Sequence, residues 1–277
     1  MTEITTARRT RRFASKSEPK RPLELSWGIA SDVGQRRAVN EDSVVALPGV
    51  FAVADGLGGH SAGDVASAAA VSRLSQRAKA RARSGGMLEP RDLEDAFLRA
   101  SDDITLRTAG AASGSGTTVT GIAVVESDRL PAFLVFNIGD SRVYRLRDRE
   151  LQQITVDHSY VQELVDAGEL RPEEMELHPD ANVITRALGF GEVPPYDSWL
   201  VHPEAGDRFL ICSDGLTREV PNAMIATILG AGDDAQGAAR TLVAAANEAG
   251  GRDNITVAVV DVVAAPLPSA TPVESTA

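Results

Sequence analysis

Apolar runs follow one another in this chain without the intervening helix that each step of a parallel sheet would need. Strand-like runs lie at 25–30 and 44–54, then at 117–125, 132–138 and 143–146, and later at 199–201, 208–212 and 255–263. Their β-branched content and turn-rich flanks favour extended backbone. Leu130-Pro131 and Arg147-Asp148-Arg149 mark hairpin-like turns. Helical segments come in pairs. An Ala-rich stretch at 62–83 is followed, past Gly85-Gly86 and Pro90, by one with Leu93, Phe97, Ala100 and Ile104 at helical spacing. Two more helices are expected at 221–229 and 235–249. Strand pairs interleaved with helix pairs exclude the alternating βαβ order. They predict an α+β fold, a four-layer α-β-β-α sandwich of two antiparallel sheets flanked by helix pairs.

Residues 157–191 interrupt the strand order with a short amphipathic helix around Tyr160, Leu164 and Val165, and read as an inserted flap. One domain is expected over 23–264. Residues 1–22 lack apolar periodicity and read as a disordered basic leader. Residues 265–277, rich in Pro, Ser, Thr and Ala, read as a disordered tail.

Charge and cysteine content exclude several functions. The leader is net +5 and the remainder net −16, which together give the chain's −11. A body that acidic does not bind nucleic acid by bulk electrostatics. No apolar run reaches the roughly 18 residues needed to span a bilayer. Arg11-Arg12-Phe13 is followed by polar residues where an export signal would be apolar, so a cytoplasmic protein is expected. The single cysteine, Cys212, excludes a disulfide framework and a thiolate zinc cluster.

The chemistry is concentrated in short acidic motifs: Arg37-Ala38-Val39-Asn40-Glu41-Asp42, Asp55-Gly56-Leu57-Gly58-Gly59-His60, Gly139-Asp140-Ser141-Arg142, Ser213-Asp214-Gly215 and Gly251-Arg252-Asp253-Asn254. Each carboxylate closes an apolar run or opens a Gly-containing turn, where a side chain is fixed at the rim of a sheet. Several such carboxylates converging would hold hard divalent cations through oxygen, which suits Mg or Mn. An Arg beside them would be free to grip a phosphate. Taken singly, each motif has a plainer reading: Asp-Gly is a common turn pair at a strand end, and Asp140, Asp214 or Asp253 alone could be a solvated turn residue.

In this order the motifs RxxNED, DGxGGH, GDSR, SDGLT and GRDN resemble the metal-dependent serine/threonine phosphatases of the PPM (protein phosphatase 2C-like) family, bacterial branch, over residues 24–262. The resemblance implies hydrolysis of phosphoserine and phosphothreonine in proteins by a metal-activated water attacking phosphorus in line. It implies two tightly bound Mn2+ or Mg2+ ions and a third, weaker one. Asp55 becomes the carboxylate bridging two ions, with the Gly56 carbonyl a further ligand. Asp214 and Asp253 complete the first ion's shell, and Asp140 joins Asp214 on the third. Glu41 and Asp42 hold metal-bound waters, and Arg37 binds phosphate. The general acid stays open. Animal-type members carry a His where this chain has Leu57, and either a metal-bound water or His60 could protonate the leaving group. His158, His178 and His202 are not expected to be ligands. The implied partners are phosphorylated proteins and an opposing serine/threonine kinase, with no nucleic acid, and the implied state is a monomer.

Other motifs invite different chemistry. Gly114-Ser115-Gly116-Thr117-Thr118 lacks the Lys of a Walker loop and is expected to start a strand, its glycines allowing close packing beside the site. Cys212 to Arg218 has the Cys-x5-Arg spacing of cysteine-dependent phosphatases, but Asp214 would put a carboxylate inside the phosphate loop. Cys212 also ends an apolar run, which suits an inert buried thiol. A non-catalytic phosphoprotein-binding module should have lost its metal ligands, and this chain keeps them.

Overall fold

A computed structural model describes residues 9–13, 22–58, 62–109 and 114–266. In chain order the elements are β1 Arg9–Phe13, β2 Leu23–Asp32, β3 Ser43–Leu47, β4 Val50–Ala54, β5 Gly56–Leu57, α1 Gly63–Arg83 and α2 Pro90–Arg107. There follow β6 Gly116–Thr117, β7 Val119–Ser127, β8 Leu130–Ile138, β9 Arg142–Arg147, β10 Glu150–Gln153 and α3 Tyr160–Asp166. The last are β11 Asp197–Val201, β12 Arg208–Cys212, α4 Asp214–Thr217, α5 Asn222–Gly230, α6 Ala235–Ala249 and β13 Ile255–Ala264.

The main strands form a six-stranded sheet, β1-β2-β13-β12-β9-β10, and a five-stranded sheet, β11-β8-β7-β4-β3. All pairings within them are antiparallel. Strand alternation divides the interior into layers. Along β4, Val50, Ala52 and Ala54 face the α1–α2 pair, where they meet Ala66, Leu74, Leu93 and Phe97. Phe51 and Val53 point the other way, to Trp27, Phe209, Ile211 and Val260 of the opposite sheet. The far face of that sheet, with Tyr144, Leu210 and Val257, packs against Ile225 of α5 and Leu242 of α6. The four-layer α-β-β-α order follows, because the central strands are buried on both faces. Edge-to-face ring pairs cross between the sheets, Trp27 with Phe51 at 5.3 Å and Phe133 with Phe209 at 5.1 Å. No helix among the described residues is long and apolar enough to cross a membrane.

The structure departs from the sequence reading in places. Residues Arg9–Phe13, inside the leader expected to be disordered, pair with Leu23–Trp27 as an edge strand. Edge pairing is made by backbone amides and needs no apolar periodicity. The apolar run 44–54 is a hairpin, β3 and β4, broken at Pro48-Gly49. Strand β10 carries no fully buried residue and so leaves no apolar signature. The expected tail lies, from residue 267 on, outside the described residues. Within 157–191 stand α3 and a 3-10 turn, Pro172–Leu177. A bridge from Ser159 to Ile184 closes that segment on itself, and one from Thr117 to Leu188 joins it to the body.

Candidate active site

Strand topology gathers the acidic motifs at one end of the sandwich. Strands β9, β12 and β13 are antiparallel neighbours, with Cys212 opposite both Arg142 and Val257. The C-terminal end of β12 therefore lies beside the starts of β9 and β13. Asp140 precedes β9, Asp214 follows β12, and Asp253 precedes β13. Asp55 arrives from the facing sheet, directly after β4. Its backbone is held from both sides: Asp55 N–H donates to Thr118 Oγ1 at 3.0 Å, while the Thr117 hydroxyl and the Thr118 amide donate to the Asp55 carbonyl at 2.8 and 2.9 Å. The stretch from Gly114 to Thr118 is thus scaffolding for Asp55. At Gly116 a Cβ would lie 2.2 Å from the Phe190 ring of the flap, the close packing expected of that glycine.

Two glycines make the convergence possible. A Cβ on Gly56 would stand 2.4 Å from the Gly63 carbonyl oxygen and 2.6 Å from that of Glu41. Only Gly lets the start of α1 and the Glu41 loop close on the residue after Asp55. A Cβ on Gly215 would lie 2.0 Å from the Asn254 carbonyl oxygen, so Gly215 is what allows α4 to abut the Asp253-Asn254 turn.

The result is a cleft of about 810 Å3 whose lining includes Arg37, Glu41, Asp55, Gly56, Asp140, Asp214 and Asp253, with Met175, Leu177 and Ile184 contributed by the flap segment. Asp42 lies behind it, its Oδ2 accepting from the Ser213 hydroxyl at 2.8 Å. Burial and mutual repulsion push Glu41, Asp42, Asp55, Asp140 and Asp214 up. Asp42 is raised to about 7, mainly by desolvation and against hydrogen bonds from Thr256 and Ser213. Asp140 is raised to about 8 by desolvation and then by the charge of Asp214. Asp55 is held well above the ordinary carboxylate range by desolvation and the charges of Asp42, Asp214, Asp140 and Asp253. Desolvation also raises Asp214. Glu41 is raised by desolvation, opposed by a backbone hydrogen bond from Gly63.

Carboxylates under such strain call for positive charge. Buried oxygens without a hydrogen-bond partner, Asp42 Oδ1, Asp140 Oδ1 and Asp214 Oδ1, mark where it is missing. An all-oxygen donor set suits Mg2+ or Mn2+. Among the described residues no group of three or more His, Cys, Asp or Glu side chains forms a ready-made ion cage. Ions here would take the balance of their ligands from the Gly56 carbonyl and from water.

Arg37 reaches the cleft, but its Nη2 sits 2.8 Å from Asp253 Oδ2 and its side chain is 51% exposed. His60 lies outside the described residues. His178 lines the cleft from the flap side. His158 is buried, its Nδ1 accepting from Gly139 N–H at 3.1 Å and its Nε2 3.2 Å from Asp197 Oδ2. Cys212 is fully buried, with its thiol pushed up to about 12 by desolvation. A thiol so placed is no nucleophile, and the cysteine mechanism fails on geometry as well as charge.

Some residues of the site were not assigned from sequence. Arg142 is clasped by Asp157, with Nε and Nη2 at 2.9 and 2.7 Å from Oδ2, under the Asp140 turn. Arg218 lies 2.6 Å from Asp214 Oδ2 and 3.4 Å from Asp140 Oδ2. The usable signal was the i,i+4 spacing of Asp214 and Arg218, which matters only once a helix is known to begin at Asp214.

Comparison with known proteins agrees with this geometry. The Protein phosphatase 2C family matches residues 35–247. The serine/threonine protein phosphatase PstP of Mycobacterium tuberculosis (strain ATCC 25618 / H37Rv) is 42% identical over 244 residues, which are 87% of this chain and 46% of PstP. The chain thus spans about half the length of that relative. Protein phosphatase PhpP of Streptococcus pneumoniae serotype 2 (strain D39 / NCTC 7466) is 38% identical over 245 residues, 86% of this chain and 97% of PhpP. The solved catalytic domain of PstP in complex with two manganese ions matches with a TM-score of 0.73 at 37% identity, over 86% of this chain and 98% of that one. With its motifs gathered at one cleft between two antiparallel sheets, and a family match across most of its length, this chain belongs to the protein phosphatase 2C family.

Proposed function

We propose that this chain is a metal-dependent protein phosphatase that hydrolyses phosphoserine and phosphothreonine, and that it opposes a serine/threonine kinase in the cytoplasm. The observation that carries this reading is the convergence of Asp55, Asp140, Asp214 and Asp253 on one cleft beside Arg37, with buried carboxylate oxygens left unpartnered. Asp55, the Gly56 carbonyl, Asp214 and Asp253 would hold two ions of Mn2+ or Mg2+, and Asp140 with Asp214 a weaker third. When bound, such ions acidify water and draw charge from phosphoryl oxygens. The chain's own residues do the rest. Glu41 and Asp42 orient water at the floor of the cleft. Arg37, permanently charged and planar, swings from Asp253 to the phosphoryl oxygens of the substrate. The flap presents Met175, Leu177 and Ile184 to whatever polypeptide carries the phosphate.

The test is an assay of p-nitrophenyl phosphate and a phosphothreonine peptide with Mn, with Mg and with EDTA. Activity should vanish in EDTA and return with Mn. Full activity in EDTA sinks the reading.

A further inference from the structure

Arg218 stands directly after α4, one helical turn from Asp214. Its Nη2 is shared between two carboxylates from different parts of the fold, at 2.6 Å from Asp214 Oδ2 and 3.4 Å from Asp140 Oδ2. Both acids are almost fully buried, at 7% and 5% exposure. The Arg218 side chain is 31% exposed and reaches them from the solvent side. The other oxygen of each acid, Oδ1, has no partner. The Asp140–Asp214 pair is therefore half satisfied by a guanidinium and half open.

We propose that Arg218 serves as a built-in cation for the Asp140–Asp214 pair, so that a third divalent ion enters only by displacing it. A guanidinium cannot give up its charge at any relevant pH. Its nitrogen on the two Oδ2 atoms occupies part of the space between the same two acids that an ion shared by them would need. Two cations a few ångströms apart in a partly desolvated cleft repel strongly. Arg218 is anchored as well as charged: its amide donates to the Asp214 carbonyl at 2.9 Å, and its own carbonyl accepts from Arg252 Nη2 at 3.3 Å. Asp214 is shared with the first two ions, but their other carboxylates, Asp55 and Asp253, have no ion pair with Arg218, so those two ions should depend on it less than the third. The consequence is a chain whose third-ion affinity is set by one arginine. This inference rests on the two-metal reading given above, and deepens it.

The experiment is Mn2+ uptake by the full chain, measured by equilibrium dialysis with elemental analysis, so no turnover is involved. Arg218→Gln should tighten the weakest class of Mn2+ by about tenfold or more, through loss of the competing charge. Arg218→Met should do the same, and decides the matter if Arg218→Gln unfolds. Arg218→Lys, which keeps the charge, should bind as the wild type does. Asp140→Asn should remove the weakest class from the wild-type isotherm, leave the tight classes in place, and abolish the gain in the Arg218→Gln background. The role given to Arg218 is overturned if the uncharged variants bind Mn2+ as the wild type does with the two strong ions in place. It is also overturned if Asp140→Asn alone strips a tight ion. A wild-type chain that takes up no Mn2+ at all overturns the metal reading beneath it.

Discussion

Asn254 holds Glu41, 213 residues away in sequence: its Oδ1 accepts the Glu41 backbone N–H at 2.8 Å, while its Nδ2 donates to the carbonyls of Val33 and Val39, each at 3.0 Å. One nearly buried amide thus ties the loop that carries Arg37, Glu41 and Asp42 to the turn that carries Asp253. Asn254→Ala leaves those loop groups unpaired, which costs about 1–3 kcal/mol. The expected outcome is that much lost stability in urea unfolding, together with a fall in kcat/KM, because Glu41 and Arg37 lose their register against Asp253. Unchanged stability and activity in Asn254→Ala would refute the clamp.

The raised carboxyls predict an unusual pH response for the metal-free protein. Asp42 at about 7 and Asp140 at about 8 sit above their ordinary 3.8, so the folded chain binds more protons than the unfolded one between those values. Stability from this source is complete below pH 3.8 and declines as pH rises through 7 to 8. In EDTA, the contribution of these groups should therefore lower Tm from mildly acidic to mildly alkaline pH. Mn2+ should reverse the trend, since ions bind the deprotonated acids and stabilise more as pH rises. The check is Tm against pH in EDTA and in Mn2+. Parallel curves would count against both the repulsion and the metal.

Arg37→Ala should cost activity and little else. Its ion pair with Asp253 is half exposed, and such pairs contribute little to folding. A charge-assisted contact to phosphate is worth about 1.5–3 kcal/mol, or roughly 10- to 100-fold in kcat/KM. Mn2+ affinity should hold or rise slightly, because Asp253 loses a competitor. A variant that loses Mn2+ affinity instead would place Arg37 on the metal side of the site.

How legible this site was in sequence depended on whether a residue's role follows from its own strand. Asp55 and Asp214 follow apolar runs and Asp253 precedes one, so their place at a sheet rim could be read directly. The four layers could be read too, because strands buried on both faces, such as β4 with every residue buried, leave continuous apolar runs. Arg218 could not be read, since its meaning requires α4 to start at Asp214 and the β8–β9 turn to lie alongside. Neither could β10 or β1, which are paired through backbone at sheet edges rather than by an apolar face.

Cys212→Ser should leave turnover within a few fold. Its sulfur lies in the core with Leu210, Leu216 and Val257, with only a long contact of 3.9 Å to the Arg142 carbonyl. The cost should fall on stability, at about 1–3 kcal/mol for burying a hydroxyl with a poor partner. A variant that binds Mn2+ and is inactive would restore the cysteine mechanism.

The flap should select protein substrates without running the chemistry. Its base is fastened to the catalytic end by the part-buried Arg142–Asp157 pair and by Gly139 N–H on His158. Its cleft-facing wall carries Leu177, 87% exposed and so contributing almost nothing to the core. An apolar side chain left in water beside a phosphate site is worth about 1.5–3 kcal/mol when a partner covers it, or roughly tenfold or more in kcat/KM. Leu177→Ser should therefore lower kcat/KM for a phosphoprotein by about that factor and leave p-nitrophenyl phosphate within about twofold. Asp157→Asn is the contrast. It leaves the part-buried Arg142 guanidinium without its charged partner, a change that costs up to about 3–5 kcal/mol where a pair is fully buried, and should damage both substrates and the fold together. The measurement is the ratio of the two kcat/KM values in each variant. Equal losses on both substrates in Leu177→Ser would mean that the flap supports the carboxylate cluster itself, and that substrate choice lies elsewhere.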